Sequence, residues 1–80
     1  MDRNEIHTRV QNVFRDVFDL PTLQLLDSTS SEDIEDWDSL NHINLVTAIE
    51  KDFKIRFAIS ELQNLQNVGE MLDLIKEKLN

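Results

Sequence analysis

The sequence predicts an all-α domain, an irregular four-helix bundle with a long first loop and a short third helix. Apolar residues recur at spacings of three and four in each of the longer segments, the period of one helix face. Glycine and proline, which punctuate regular structure, occur once each. The 80 residues contain no cysteine, and a small domain without disulfides depends on closely packed helices. The length suits one domain, residues 1–80, with no room for a second core. Without cysteine, a cysteine-based metal or redox site is excluded.

The first helix is predicted from about Arg3 to Phe18. Ile6, Val10, Val13, Phe14, Val17 and Phe18 fall on one face. Asp2 followed by Glu5 has the spacing of a capping box. Asp19-Leu20-Pro21 ends the helix, because proline disfavours helical geometry in the residue before it. From Asp19 to Asp38 no periodic pattern is sustained, and a structureless loop of that length normally argues against an assignment. Here Leu20, Leu23, Leu25, Leu26 and Ile34 are spaced to lay the connection over the core, with a short helical turn around Thr22 to Leu26. Ser28-Thr29-Ser30-Ser31 reads as a solvated, mobile turn rather than a regulatory phosphorylation site.

The second helix opens with Asp38 as N-cap and runs to about Phe53, roughly 22 Å at 1.5 Å per residue. Leu40, Ile43, Val46, Ile49 and Phe53 form its apolar stripe, with Leu45 beside it. Asn41, His42, Asn44, Thr47, Glu50 and Lys51 occupy the other faces, and Ile43 sits at the stripe's edge, where a partner can reach it. Lys54-Ile55-Arg56-Phe57 alternates without a sheet partner and reads as an extended connection. Ser60 is the expected cap of a single-turn helix from Glu61 to about Asn64, burying Leu62 and Leu65. Asn67 and Glu70 give another capping-box start, for a last helix built on Val68, Met71, Leu72, Ile75 and Leu79. Lys76 and Lys78 lie near its negative end. No internal repeat or separate linker interrupts the chain.

The net charge is −8, from 16 acidic residues against 8 Lys and Arg. Such a surface repels phosphate backbones and anionic lipid, which argues against nucleic-acid and membrane partners. It suits basic docking patches, although charge alone is better explained by the solubility of a small domain. No apolar run is long enough to span a bilayer, and Met1-Asp2-Arg3-Asn4-Glu5 does not begin a signal peptide. The expectation is a cytoplasmic monomer.

Asp36-Trp37-Asp38-Ser39-Leu40 closes the polar connection and opens the second helix. The Ser39 hydroxyl lies where the first backbone N–H groups lack intrahelical partners and the macrodipole is positive. A phosphate on it would sit in a favourable field. By itself Asp-Ser is most often just a helix cap. Asp38-Ser39-Leu40 followed by an apolar helix ending at Phe53, however, resembles the acyl carrier protein family, and the pattern continues in register from about Ile6 to Leu79.

That resemblance implies a non-catalytic carrier. Ser39 becomes the attachment site for 4′-phosphopantetheine, transferred from coenzyme A by a phosphopantetheinyl transferase, and Asp38 both caps the helix and aids the transferase through its charge. The arm ends in a thiol that holds acyl cargo as a thioester. Acyl-loading and acyl-transfer enzymes dock on the exposed side of the second helix, making Leu40, Asn41, Ile43, Asn44, Thr47, Glu50 and Lys51 candidate contacts. The sequence departs from the family's acidic pattern there. Asn41 and Asn44 stand where fatty-acid carriers commonly have acids, Lys51 reverses a sign, and Trp37 replaces a small residue. Weak docking on generic fatty-acid synthase enzymes is expected, and with it a specialised lipid or secondary-metabolite pathway. Val46, Ile49, Phe53, Leu65, Leu72 and Ile75 would line an interior able to open for an acyl chain, although ordinary core explains them equally. Trp37 is either a core anchor covering the base of the second helix or an exposed aromatic of the docking surface, and burial is expected because a large apolar ring gains most from leaving water.

Three other readings compete. An aminoacyl or D-alanyl carrier shares the bundle and the serine. An unmodified helical protein-interaction domain would use Ser39 only as part of a cap. A Ser-His hydrolase is suggested by His42, three residues beyond Ser39, but eighty helical residues offer little from which to build an oxyanion hole and a dry pocket. His42 is accordingly read as a surface or partner-contacting residue and His7 as a solvated one. Asp33, Asp36 and Asp38 lack the spacing and glycine of a calcium loop, so no metal site is assigned.

Overall fold

α1, Arg3–Phe18, forms where the apolar spacing requires it. In a computed structural model of the chain, which describes residues 1–79, it is followed by α2 (Ser39–Phe53), α3 (Ile59–Gln63) and α4 (Val68–Leu79). Among the described residues there is no strand. Ile6, Val10, Phe14 and Phe18 of α1 are buried, with Val13 and Val17 packed at the margin. The Asp2 carboxylate accepts the Glu5 N–H at 2.9 Å, so the N-terminus is capped from one side. At the other end Asp19 adopts the left-handed conformation (φ 54°), and the Leu20 N–H reaches back to the Arg15 carbonyl at 3.0 Å. The helix ends through this left-handed cap, which aspartate tolerates better than most residues, before Pro21 is reached.

The long connection is irregular but fastened along its length. Its predicted helical turn at Thr22–Leu26 is absent. A turn closes instead from Leu20 to Leu23, and the chain then continues without regular structure to Leu26. The reason lies on α1, where His7, Gln11 and Arg15 recur every fourth residue on one stripe. Arg15 Nε donates to the Leu23 carbonyl (2.8 Å), the Gln11 side-chain oxygen accepts the Leu25 N–H (2.9 Å), and His7 Nε2 donates to the Leu25 carbonyl (2.7 Å). Backbone groups claimed by side chains in this way are not free to close a helical turn. His7 is therefore a half-buried clamp, not the solvated residue expected. Leu25 and Ile34 are buried, whereas Leu20 and Leu26 remain exposed.

Within Ser28–Ser31 the two end serines are exposed, as a solvated turn requires, but Thr29 departs from that expectation. Thr29 is 8% exposed, and its hydroxyl accepts the Leu26 N–H at 3.0 Å. The Thr29 and Asp27 carbonyls accept the N–H groups of Val68 and Gly69, both at 2.8 Å. The loop thereby satisfies donors that α4 leaves unpaired in its first turn. Gly69 is required for the approach, since a Cβ there would stand 3.2 Å from the Asp27 Cβ and carbonyl oxygen. Arg3 adds ion pairs to Asp27 (2.9 Å) and Asp73 (3.0 Å).

α1 packs against both α2 and α4. The core is made from its face together with Leu45, Ile49 and Phe53 of α2, Val68, Met71, Leu72 and Ile75 of α4, and Leu25 and Ile34 from the loop. Arg9 joins α1 to the end of α2, pairing with Asp52 at 3.0 Å while its guanidinium lies 4.5 Å from the centre of the Phe53 ring.

α3 is peripheral, and none of its residues is fully buried. It begins at Ile59 after Ala58, whose N–H donates to the Glu61 carboxylate at 2.7 Å, so Ser60 lies inside the helix and is not its cap. Leu62 and Leu65 are only half-buried. The segment is tied by Glu61–Lys78 (2.8 Å) and by the Glu50 carboxylate, which accepts the Phe57 N–H at 2.9 Å. At α4 the Asn67 side chain accepts the Glu70 N–H (2.9 Å), and the Glu70 carboxylate accepts from Gln66 (3.0 Å), one residue before the predicted partner.

Candidate functional site

The start of α2 is set by Asp38. Its backbone is extended (φ −101°, ψ −174°), its carboxylate accepts the Asn41 N–H at 2.8 Å, and its carbonyl accepts the His42 N–H at 2.8 Å. Ser39 is thus the first helical residue, and it is exposed. Its hydroxyl sits at the positive end of a 15-residue helix, where added negative charge is stabilised. Nearby, Asp33 accepts the Ser30 N–H at 2.9 Å, so this acid and Asp38 cap backbone turns.

The apolar stripe predicted for α2 is divided. Leu45, Val46, Ile49 and Phe53 are buried, but Leu40 is 69% and Ile43 61% exposed. Leu40 therefore leaves the core and joins the outer face. Asn44, Thr47 and Lys51 are exposed with it. Two other candidate contacts use their side chains internally. Asn41 donates to the Asp36 carbonyl at 2.7 Å, and Glu50 is held by Phe57.

Beside Ser39 opens a cleft of about 800 Å³, lined by Trp37, His42, Ile43, Ile59, Leu62 and Leu65, with Ser31, Asp38, Gln63 and Gln66 at its polar edges. Of the interior predicted from Val46, Ile49, Phe53, Leu65, Leu72 and Ile75, only Leu65 reaches the cleft, and the other five are buried in closed packing. Trp37 is half-buried. Its ring meets Phe14 edge-on (centroids 5.2 Å, 86°) and Phe18 at 6.3 Å, while it also walls the cleft. Its Nε1–H donates to His42 Nδ1 at 3.0 Å, which leaves the imidazole proton on Nε2. Burial lowers the His42 pKa below its ordinary 6.5, opposed by the Leu62 carbonyl that faces the ring. An imidazole engaged with Trp37 and Leu62 is not poised as a base for Ser39, and the hydrolase reading loses its activating group. The Trp37–His42 pair had no signature in the sequence, since residues five apart do not share a helical face and Trp37 precedes the helix. Ile59, exposed at the start of α3, forms the cleft's outer wall and was not singled out in the sequence, which placed the start of α3 at Glu61.

Residues 8–75 match the family described as "Phosphopantetheine attachment site". An acyl carrier protein of Acidothermus cellulolyticus is 32% identical over 75 residues, spanning 94% of this chain and 89% of its own. The chain belongs to the acyl carrier protein family. An acyl carrier protein of Saccharopolyspora erythraea is 30% identical over 74 residues, 92% of this chain and 78% of its own. The solution NMR structure of a holo acyl carrier protein from Geobacter metallireducens superposes with a TM-score of 0.86 at 45% identity, covering 91% of this chain and 84% of that one. The all-α architecture, the four helices and their order are those of an acyl carrier protein, and the prosthetic group of this family's domain is 4′-phosphopantetheine. The site fits such a group, offering an accessible hydroxyl at a helix N-terminus beside an open cleft. Among the described residues no helix is long and apolar enough to cross a membrane, and no cluster of three or more His, Asp or Glu side chains is arranged for a metal ion.

Proposed function

We propose that Ser39 is the residue that carries 4′-phosphopantetheine, and that the protein holds acyl intermediates for a dedicated lipid or secondary-metabolite pathway of the cytoplasm. The observation that carries this reading is the exposed serine hydroxyl at the positive end of α2, with the apolar side chains of Leu40, Ile43 and Ile59 left uncovered near it. The bound group supplies a thiol for thioester formation. The chain's own residues do the rest. Asp38 fixes the first turn through its bonds to Asn41 and His42, which sets Ser39 as the exposed first residue of the helix. The N–H groups of that turn favour the charge of an attached phosphodiester. The transferase supplies activation and metal chemistry, leaving this protein the task of presentation.

Acyl-loading and acyl-transfer enzymes dock, on this reading, against Leu40, Ile43, Asn44, Thr47 and Lys51, with Asn41 and Glu50 shaping the face from beneath. The apolar pair offers anchors that gain from desolvation, while Asn41, Asn44 and Lys51 weaken electrostatic pairing with a basic partner. A tether raises the effective concentration of cargo at each active site, so docking can be weak and still productive. Incubation with coenzyme A and a broad-specificity phosphopantetheinyl transferase should add the mass of one arm, and Ser39→Ala should abolish the gain. An unchanged mass would instead favour an unmodified interaction domain. Identification of the thioester on protein from its native host separates acyl from aminoacyl or D-alanyl cargo. A generic fatty-acid ketosynthase that used the loaded protein as well as its own carrier would overturn the dedicated-pathway reading.

A further inference from the structure

The outward face of α2 changes chemistry along its length. Leu40, Ile43, Thr47, Lys51 and Lys54 follow one another at spacings of three and four, so they share one stripe, and all five are exposed. Leu40 and Ile43 stand at the Ser39 end, whereas Lys51 and Lys54 lie about 20 Å from Ser39 along the helix. Arg56, also exposed, joins them. The connection after α2 is pinned to Glu50, whose carbonyl accepts the Ile55 N–H at 3.2 Å and whose carboxylate accepts the Phe57 N–H at 2.9 Å. Arg56 is therefore held between two anchored residues beside the helix end. Lys51, Lys54 and Arg56 form no ion pair among the described residues. The acids nearest to them in sequence are engaged elsewhere, Glu50 by the Phe57 N–H and Asp52 by Arg9. In a chain of net charge −8, residues 51–56 thus carry three cations against one acid, while residues 27–38, just before Ser39, carry six acids and no Lys or Arg. Attraction to the negative end of the helix accounts for Lys51, in the last turn. Lys54 keeps its charge at a left-handed position (φ 58°) that suits glycine better, and Arg56 lies beyond the helix.

We propose that Lys51, Lys54 and Arg56 are a docking site for an acidic patch on the enzymes that act on this protein's cargo. Such an enzyme meets α2 with an apolar pocket at the Ser39 end and with acidic side chains about 20 Å away. This rests on attachment at Ser39 and on docking along α2. A basic partner surface, which the net charge alone would select, is repelled at this end of the helix. Leu40 and Ile43 supply apolar contact, and the three cations set the orientation and rate of encounter.

Protein loaded with an acyl arm from an acyl coenzyme A thioester, and checked by intact mass, serves as substrate for the acyl-transfer enzyme purified from the native host by its turnover of that substrate. The triple variant Lys51→Gln, Lys54→Gln, Arg56→Gln lowers the net charge by three at the patch. The triple variant Asn4→Glu, Asn12→Glu, Gln24→Glu lowers it by the same amount at exposed positions outside α2. At 50 mM salt the glutamine variant should raise KM about tenfold with kcat unchanged, and the difference should shrink to about twofold at 500 mM. The glutamate variant should stay within about twofold of wild type at both, since screening confines the effect of distant charges. Lys54→Gly, which frees the left-handed backbone of its Cβ, should melt no lower than wild type and still raise KM, separating docking from folding. Should the glutamine variant not fold, Lys54→Gly decides. A KM unchanged or lowered by loss of the cations, or raised equally by the glutamate variant, would overturn the proposal while leaving the carrier reading intact. Absence of any mass gain on loading would overturn the carrier reading, and this proposal with it.

Discussion

Asp38 combines a geometric role with an electrostatic one, and substitution can separate them. Asp38→Ala removes the bond to the Asn41 N–H and should cost about 1 kcal/mol. That corresponds to ~4–8 °C in melting temperature for a domain of this size. Asp38→Asn keeps a capping oxygen, so its melt should stay near wild type while the transferase rate falls if the charge matters to that complex. His42 gives a second residue-scale expectation. Burial holds its pKa below 6.5, so the folded state prefers the neutral ring and the unfolded state takes up protons first. Its stabilising contribution is complete above about pH 6.5 and is lost as pH falls through that value toward the folded pKa. A protonated ring also has no lone pair for the Trp37 Nε1–H. Melting temperatures measured between pH 7.5 and 5 should therefore fall more steeply for wild type than for His42→Gln, whose amide oxygen can accept the bond without titrating. At this scale Ser39 and Asp38 were legible in the sequence because a helix start is a local pattern. Trp37 and His42 were not, because their pairing depends on where the loop sets the indole.

The helices differ in how much of their definition is local. α1, α2 and α4 were readable from periodicity because each buries one continuous face, and hydrophobic spacing records that face directly. α3 was placed within a few residues, but its cap was misassigned to Ser60 and its start to Glu61, since Ala58, which has no side-chain oxygen, is the last residue before the helix and its carbonyl accepts the Glu61 and Leu62 N–H groups. The loop before α2 was the least legible element. Its order comes from His7, Gln11 and Arg15, which read in sequence as the polar side of an amphipathic helix, and nothing in their spacing distinguishes a solvated stripe from one bonded to another segment. Gln11→Ala tests that account. It strands the partly buried Leu25 N–H, and an unsatisfied donor costs about 1–3 kcal/mol. A substitution on a merely solvated face would stay within about 0.5 kcal/mol. Urea denaturation distinguishes these, and a loss at the higher end with an unchanged m-value would place the effect in the folded state.

For the molecule as a whole, charge and size act against each other. A net charge of −8 is carried by a fold with a radius of gyration of 11.4 Å, so many like charges lie within about one Debye length, ~10 Å at 0.1 M salt. Folding brings them closer together than in the expanded chain, and the native state bears the larger self-repulsion. Ion pairs oppose this, but few do so. Arg3 is shared between Asp27 and Asp73, Arg9 takes Asp52, and Lys78 takes Glu61. These pairs are at least partly exposed, and such contacts contribute only about 0–1 kcal/mol each and are themselves weakened by salt. The two effects have opposite signs, and net repulsion should win because the excess acids outnumber the paired ones. Raising sodium chloride from 20 to 200 mM should stabilise the protein by about 1 kcal/mol, a rise of ~4–8 °C in melting temperature. The origin can be checked internally. Glu32→Gln and Glu35→Gln each remove an exposed acid from the loop before α2 without touching a salt bridge seen among the described residues. The double variant should therefore melt higher than wild type at 20 mM salt and lose most of that advantage at 200 mM. An equal advantage at both concentrations would assign the gain to local backbone effects in the loop, and a melting temperature that fell with salt would mean that the ion pairs dominate.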